Sequence, residues 1–570
     1  MKKFILSNIF FLIGLMLTAS LLWPTFWAPF FKHHDDVQII RLFEMDKCFK
    51  DGQIPCRWVP DLGGLYGYPI FNYYAALPYY FGELIFLLTN NLIFSVKVMF
   101  AVSFLGSYIF MFLFARKFWG KLGGSLSAIF YSFAPYHALD FYIRGAMGEM
   151  WALMFFPAIF WALVKLKEKT NILNMLLVGI FIAALVLSHN LSTMIFVPII
   201  AVWTLFLYFR QRKQKFLWFS LGSLVLGVCI AAFYLFPMII EKNLVHVETT
   251  TYGYFGYTEH FKGIRELFID RDWGWGSSIR EVPGGEEEKI SFQIGWVHLL
   301  GWGLGLFAVK MLWRKNKWLS QIIILSSIAS LFAIFMIHPR SQFIWDTAGP
   351  LKYLQFPWRF LMLAILFISF IAGASVLAFQ KTKAIFVWVI LVTLVVLFNF
   401  SYFRPEKFIY TKDMELLTGE NWDRQIKRSI FDYLPIYAKE PPAELAVSPY
   451  QILTGDAKIS NFQKGTNWFK FNAYVRSHTI MRLSQYYFPN WKIFVNGIDT
   501  KIDYESSGLG LMTIILAKGN HVIEARLYDT PVRVVSNLVT AVSMVLMVIL
   551  FLLQFASIRK WILYYRKRID

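Results

Sequence analysis

The chain has 570 residues, of which 57% are hydrophobic and 19% aromatic, and it carries a formal net charge of +20. Its mean hydropathy of +0.50 excludes a soluble globular protein of this length and indicates a multi-pass membrane protein. The basic residues form short clusters between apolar segments, as cytoplasmic loops do, so the charge does not point to a nucleic-acid partner.

The N-terminus is similar to a signal peptide, with Lys2 and Lys3 before a long apolar run. That run continues through Trp23, Phe26 and Trp27 without a good small-residue cleavage site. We therefore interpret it as an uncleaved first span.

Twelve apolar segments are candidate membrane spans, since about 20 apolar residues cross the hydrocarbon layer. Their approximate bounds are 4–29, 92–114, 122–138, 150–166, 172–187, 191–208, 216–238, 291–312, 318–337, 358–379, 384–402 and 533–556. A further segment, 73–89, lies at the lower length limit and begins with tyrosines. If segment 73–89 lies in the membrane interface without crossing, all the basic clusters fall on one side of the membrane. These clusters are Met1–Lys3, Arg116–Lys121, Lys165–Lys169, Arg210–Lys215, Arg314–Lys317, Lys381–Lys383 and Arg559–Arg568. The sequence thus predicts cytoplasmic termini and a helix over 73–89 at the outer membrane surface.

The first external loop, 32–91, opens with His33-His34-Asp35-Asp36. Arg41 and Glu44 follow at helical spacing, which predicts a short interfacial helix. Neighbouring residues on a helix point about 100° apart, so the two aspartates are expected to have different tasks. One can accept a proton while the other orients a partner or a metal; the alternative is that both cap the helix.

The same loop carries two of the three cysteines, Cys48 and Cys56. They could pair if the loop faces an oxidising compartment.

Three further external regions, 137–149, 240–290 and 338–357, carry acidic and basic side chains, and His189 fills a short external turn. Arg144 and Arg359 could bind a phosphate, because a guanidinium group donates two parallel hydrogen bonds to it. Alternatively, each side chain could extend to the membrane surface. The candidate substrate-binding residues of the external face are His34, Trp58, Tyr66, Asp140, His189, Asp272 and Trp273. Asp, Glu and His here could bind Mg²⁺ or Mn²⁺, but no spacing requires a metal.

Residues 403–531 are polar and, from Asn467 onward, alternate in short apolar runs. Asn496-Gly497, Ser507-Gly508 and Lys518-Gly519-Asn520 are typical of hairpin turns. We predict a small external β-sandwich between the bundle of residues 1–402 and the last span with its basic tail, 532–570. Its aromatic residues Tyr486, Tyr487, Phe488 and Trp491 could stack on sugars, but core packing is the favoured use.

Several motifs together resemble a known family. They are the loop HHDD…R…DGQIPCRWVPDLGGLYGYP, then YIRGAMGE, SHN and LQFPWRF, and the terminal YYFPNWKIFVNG…GNHVIEARLYDTPVR. In this order they resemble the membrane family labelled 6-pyruvoyl-tetrahydropterin-synthase-related and its YfhO-like relatives. A long first external loop beginning with an acidic residue also resembles the GT-C glycosyltransferase superfamily.

This resemblance implies transfer of a sugar from a polyprenyl-phosphate donor to a glycan, lipid or protein acceptor at the outer face of the cell membrane. Asp36 or Asp35 would be the catalytic base of an inverting displacement, with Asp36 slightly favoured, and Glu149 or Asp140 the second acid. Arg144, Arg359 and Arg41 would hold the donor phosphate.

Two other functions stay open. A transporter or flippase for lipid-linked saccharides would need a polar path through the bundle, but the spans carry few charges. A non-catalytic envelope-assembly protein would act through glycan binding by the β domain.

Overall fold

The computed structural model describes residues 2–279, 290–427 and 431–566. Within these ranges the chain is mainly helical, and its longer strands gather between Tyr450 and Leu527. The predicted class, a mainly α multi-pass bundle with a C-terminal β domain, is confirmed. Residues 280–289 of the third predicted external region, Met1, and Lys567–Asp570 at the end of the basic tail lie outside the described residues.

The helices of the first half of the chain are α1 (Lys2–Ser20), α2 (Trp23–Trp27), α3 (Gln38–Lys50), α4 (Ile70–Tyr73), α5 (Leu77–Thr89), α6 (Leu92–Ser132), α7 (Pro135–Ala138), α8 (Met147–Glu168), α9 (Ile172–Ser188), α10 (Asn190–Gln211), α11 (Gln214–Ile230), α12 (Ala232–Ile240) and α13 (Ile264–Phe268). The second half contains α14 (Trp296–Leu312), α15 (Lys317–Ile337), α16 (Gln342–Thr347), α17 (Leu361–Ala372), α18 (Lys381–Asn399), α19 (Asp413–Leu416), α20 (Gly419–Lys427) and α21 (Pro531–Arg566).

Seven helical segments in the described part of the chain are long and apolar enough to cross a membrane, or eight if α11 and α12 form one bent span. Helix α6 contains a break at Gly120, where a φ of 69° favours glycine. The part before the break contains the predicted span 92–114, and the part after it contains most of the predicted span 122–138. The remaining predicted spans coincide with the shorter apolar helices α1, α9 and α14. The count of twelve crossings therefore stays a prediction. Helix α5, with 13 residues, is about 20 Å long and too short to cross the membrane upright.

The segment 216–238, predicted as one span, is broken into α11 and α12 with a bend of 75°. The hydroxyl of Thr540, from α21, sits in the break. It accepts a hydrogen bond from the Phe233 amide at 2.9 Å and donates to the Cys229 carbonyl at 3.2 Å. A side chain that satisfies both freed backbone groups explains why a break is tolerated in an apolar helix.

The two ends of the bundle differ in charge. At one end Lys117 pairs with Glu168, and the cations of Lys167 and Arg210 lie 4.3 and 5.5 Å from the ring of Trp318. These contacts bring basic clusters from four helices together. At the start of α6, the Leu92 amide donates to Asp413 at 2.6 Å, about 37 Å along the helix from Lys117. We call this second end, where the first loop and the β domain lie, the loop end.

The β domain is a six-stranded antiparallel sheet. Its strands are β3 (Tyr450–Lys464), β4 (Trp468–Tyr486), β5 (Trp491–Val495), β6 (Ile498–Thr500), β7 (Leu511–Leu516) and β8 (Gly519–Leu527). A separate two-stranded pair joins β1 (Phe30–Phe31), before the first loop, to β2 (Phe408–Ile409), after α18. The long strand β4 pairs with β3 along its length, with β8 along its first half and with β7 along its second.

Two details of the β prediction change. The Asn496-Gly497 turn is confirmed as the β5–β6 hairpin, with φ of 52° and 79°. Lys518-Gly519-Asn520 is not a hairpin turn, because β7 and β8 pair with successive halves of β4 and not with each other. Tyr486, Phe488 and Trp491 are at most 4% exposed and belong to the domain core, as favoured from the sequence.

The first loop is packed against the β domain. Trp58 is fully buried in the domain core, with ring centroids 5.6 Å from Phe488 and 6.0 Å from Trp491. The Tyr66 carbonyl accepts a hydrogen bond from the Tyr486 amide at 2.9 Å. Cys48 and Cys56 form a disulfide within the loop. The loop end is therefore one packed unit of the first loop, the sheet and the linker, which we define as residues 403–449 before β3.

Candidate functional site

A buried ion cluster at the loop end is centred on Glu149, in the first turn of α8. Arg144 donates to both carboxylate oxygens, at 2.7 and 2.8 Å, and Arg359 Nε donates to Oε1 at 2.8 Å. The hydroxyl of Tyr136 donates to Oε2 at 3.0 Å. The three charged side chains are at most 10% exposed. Because each oxygen accepts two hydrogen bonds, Glu149 is better suited to fixing the two guanidinium groups than to accepting a proton.

Asp140 extends the cluster. It accepts a hydrogen bond from Arg144 through Oδ1, whereas its buried Oδ2 has no partner. Burial, and then the charge of Glu149, raise the pKa of Asp140 well above its usual range. Burial alone would lower the pKa of Arg144, but Glu149 and Asp140 outweigh it and raise that pKa. The cluster thus holds two arginines and two carboxyl groups, of which Glu149 is paired with both arginines.

Aromatic rings enclose the two arginines. The guanidinium of Arg144 lies 4.6 Å from the Trp358 ring centroid, and that of Arg359 lies 4.8 Å from Phe356. Trp358 and Phe356 are stacked on each other at 4.9 Å. These rings and Tyr136 were not among the residues predicted for the site, although two belong to the LQFPWRF motif. They restrict water around the cluster, which strengthens its electrostatic interactions.

The acidic run of the first loop, which is His33 to Asp36, is bound to this cluster by backbone hydrogen bonds. The His34 and Asp35 amides donate to the Ile143 and Arg144 carbonyls, both at 2.8 Å. Gln38 also donates to the Gly145 carbonyl at 2.8 Å. Gly145 has a φ of +64°, and a Cβ there would lie 2.5 Å from His33 Nδ1, so only glycine fits.

The two aspartates lie in different surroundings. Asp35 is exposed. Burial lowers the pKa of Arg41, but Tyr79 and Tyr74 outweigh burial and raise that pKa, and the charge of Asp35 raises it further by a smaller amount. Asp36 lies 3.6 Å from the guanidinium of Arg424, on α20, and its side chain is 21% exposed.

The structure brings several other predicted residues to the same end. His34 Nε2 lies 2.7 Å from the Trp275 carbonyl, which connects the first loop to the third external region. His189 caps α10 by accepting from the Ser192 amide, and burial lowers its pKa to about 3, so it is neutral. Trp273 stacks on Tyr402 at 4.5 Å, and Asp272 is exposed. Trp58 and Tyr66 instead pack against the β domain, away from the Glu149 cluster.

Among the described residues, no group of three or more His, Cys, Asp or Glu side chains is arranged to hold a metal ion. The cluster carboxylates are instead occupied by arginine.

Residues 71–404, more than half of the chain, match a protein family described as 6-pyruvoyl-tetrahydropterin synthase related domain, membrane protein. The chain belongs to this family. The match covers α5 to α18 and therefore includes Asp140, Arg144, Glu149 and Arg359. The β domain lies outside it. Family membership and the apolar helices identify the chain as a multi-pass membrane protein.

Two individual proteins are similar to this member of the family. An uncharacterized protein of Lactococcus lactis subsp. cremoris (strain MG1363) is 24% identical over 256 residues, or 43% of this chain. The chain spans 42% of that relative's length. The crystal structure of ArnT from Cupriavidus metallidurans, bound to undecaprenyl phosphate, is 10% identical, with a TM-score of 0.43. That similarity covers 69% of this chain and 64% of ArnT.

Proposed function

We propose that this protein is a membrane glycosyltransferase that moves a sugar from a polyprenyl-phosphate donor to an acceptor hydroxyl at the loop end. The observation that supports it best is the backbone pairing of Asp35 with Arg144. This pairing puts the acidic run beside a buried cluster that contains two arginines. A carboxylate for the acceptor proton and a positive charge for the leaving phosphate are what the reaction requires.

In the proposed reaction, the acceptor oxygen attacks the anomeric carbon of the donor sugar. A new C–O bond forms as the bond to the phosphate oxygen breaks, and the lipid phosphate leaves with that electron pair. The acceptor proton passes to a first-loop aspartate, which we propose to be Asp36. Attack opposite the leaving group inverts the anomeric carbon. The guanidinium groups of Arg144 and Arg359 stabilise the negative charge that develops on the leaving phosphate. Glu149 accepts hydrogen bonds from both arginines and from Tyr136, and so positions the arginines.

The core beneath the cluster offers a transported saccharide no polar path among the described residues. Helix α17 is buried along its whole length and contains a single polar side chain, Ser369. The spanning part of α8 is likewise apolar and almost fully buried. This packing favours chemistry at the loop end over passage through the bundle.

The test is sugar transfer by the full-length protein in lipid nanodiscs, with a radiolabelled polyprenyl-phosphate sugar and extracted envelope glycans as acceptor. Removing a catalytic base typically lowers the rate by about 10² to 10⁴-fold, and we expect this for Asp36→Asn. Asp35→Asn shows whether the first aspartate takes that role instead. Asp499→Asn, at an exposed aspartate of strand β6, is the matched control. Full transfer by both first-loop variants would refute the mechanism.

A further inference from the structure

A small cavity lies beside helix α3, which follows the acidic run. Helix α3 contributes Ile40 and Arg41 to its wall, the first loop contributes Tyr68, and the linker contributes Gln425 of α20 and Tyr433. It has room for about one water molecule in this structure. We call it the linker cleft.

Two buried polar atoms in the linker cleft have no hydrogen-bond partner: Arg41 Nε and Gln425 Oε1. Their side chains belong to residues that are 7% and 2% exposed. The amide nitrogen of Gln425 is already used, because it donates to the carbonyls of Leu416 at 2.7 Å and Asn421 at 3.3 Å. Its oxygen is therefore left as a free acceptor.

Arg41 differs from the two arginines of the Glu149 cluster. Its guanidinium donates to the Tyr79 hydroxyl at 3.3 Å and lies 4.1 Å from the Tyr74 ring centroid, but it forms no ion pair with a carboxylate among the described residues. A buried arginine without a carboxylate partner can form charge-assisted hydrogen bonds to an anionic ligand. A ligand hydroxyl could donate to Gln425 Oε1 at the same time.

Helix α20 packs on the first loop through Trp422, whose ring centroid lies 6.1 Å from that of Phe43, and through the buried Ile426. Arg424 reaches Asp36 at 3.6 Å with 59% of its side chain exposed, and the Gly64 amide donates to the Ile426 carbonyl at 3.2 Å. Exposed ion pairs of this kind contribute about 0–1 kcal/mol. One wall of the cleft is therefore formed by the same helix that contacts Asp36.

We propose that the linker cleft binds an acidic saccharide acceptor, whose carboxylate or phosphate accepts from Arg41 and whose hydroxyl donates to Gln425. The assignment to the acceptor rests on the proposed function. In an inverting displacement the donor phosphate and the acceptor approach the anomeric carbon from opposite sides. Arg144 and Arg359 belong to the Glu149 cluster and Arg41 to a separate cavity, so we assign Arg41 to the acceptor and the cluster to the donor.

The test is binding of three probes, glucuronate, glucose 1-phosphate and glucose, to the full-length protein in nanodiscs of neutral lipid, measured by saturation-transfer NMR. We expect the acids to bind more tightly than glucose. Losing a charge-assisted hydrogen bond should weaken acid binding in Arg41→Gln by about tenfold or more. Gln425→Glu should also lose acid binding, because the new carboxylate repels an anionic ligand.

Arg265→Gln is the matched control, because Arg265 is an exposed arginine paired with Asp270 outside the cleft. Acid binding that depends on Arg41 and Gln425 supports the proposal, and the tighter of the two acids identifies the anionic group. Equal binding by wild type, Arg41→Gln and Gln425→Glu overturns it, as does binding of glucose as tight as that of the acids. If acid binding depends on Arg41 and Gln425 but the protein transfers no sugar, the glycosyltransferase proposal is refuted while the proposed binding site stands.

Discussion

Arg144 and Glu149 form a bidentate ion pair five residues apart, across the turn that leads into α8, with N–O distances of 2.7 and 2.8 Å. Arg359, more than two hundred residues later, binds the same carboxylate. Glu149 therefore joins the start of α8 to the start of α17. The acidic run of the first loop is attached to the same turn by its backbone.

Glu149→Gln should destabilise the protein strongly, because it leaves two buried guanidinium groups without their counter-charge. Breaking a buried ion pair from one side typically costs roughly 3–5 kcal/mol. Thermal unfolding in detergent measures the effect. Glu168→Gln, which removes an exposed carboxylate at the basic end, should leave the midpoint nearly unchanged. Equal midpoints for the two variants would contradict the importance of the cluster.

Gly145→Ala should disturb the attachment of the first loop. The new Cβ would meet His33 at 2.5 Å at a backbone φ of +64°, and a left-handed conformation costs a residue other than glycine about 1–2 kcal/mol. We expect a lower thermal midpoint and faster hydrogen exchange at Asp35. Gly349→Ala, where a Cβ meets no atom within 4 Å, is the control. Unchanged exchange at Asp35 would argue against the attachment.

His189→Asn should make the protein less sensitive to acid. Burial holds the folded-state pKa of His189 at about 3, below its ordinary 6.5, so between these values the unfolded chain binds the additional proton. The contribution of neutral His189 to the free energy of unfolding is fully present above about pH 6.5 and is lost as the pH falls toward 3. Asn keeps a cap acceptor for the Ser192 amide and removes the titration. Thermal midpoints between pH 4 and pH 7.5 should fall less steeply for the variant, and parallel curves would contradict the assignment.

Thr540→Val should destabilise the break between α11 and α12. Valine keeps the shape of threonine but leaves the Phe233 amide and the Cys229 carbonyl without the hydroxyl. An unsatisfied buried polar group costs about 1–3 kcal/mol. Thermal unfolding and protease sensitivity near residue 231 measure the change. Thr347→Val, at an exposed threonine of α16, should have little effect, and an equal loss in both variants would exclude a special role for Thr540.

The sequence alone predicted the membrane class and helical segments, because long apolar stretches have few alternatives to a helix in lipid. It also predicted that basic clusters from different helices share one end, as Lys117, Lys167 and Arg210 do. The β domain was recognised from its alternation. The pairing of β7 and β8 with successive halves of β4 was not, because a local pattern does not specify strand partners.

Within the candidate site, the sequence identified Asp35, Asp36, Arg144, Glu149 and Arg359 from residue type and loop position. The tertiary structure decided that two of the three candidate phosphate-binding arginines are paired with Glu149 and that Arg41 has no carboxylate partner among the described residues. It also placed Trp58 and Tyr66 in packing with the β domain. These distinctions depend on contacts between residues up to several hundred positions apart, and such contacts are set by the packing of helices and domains rather than by any spacing along the chain.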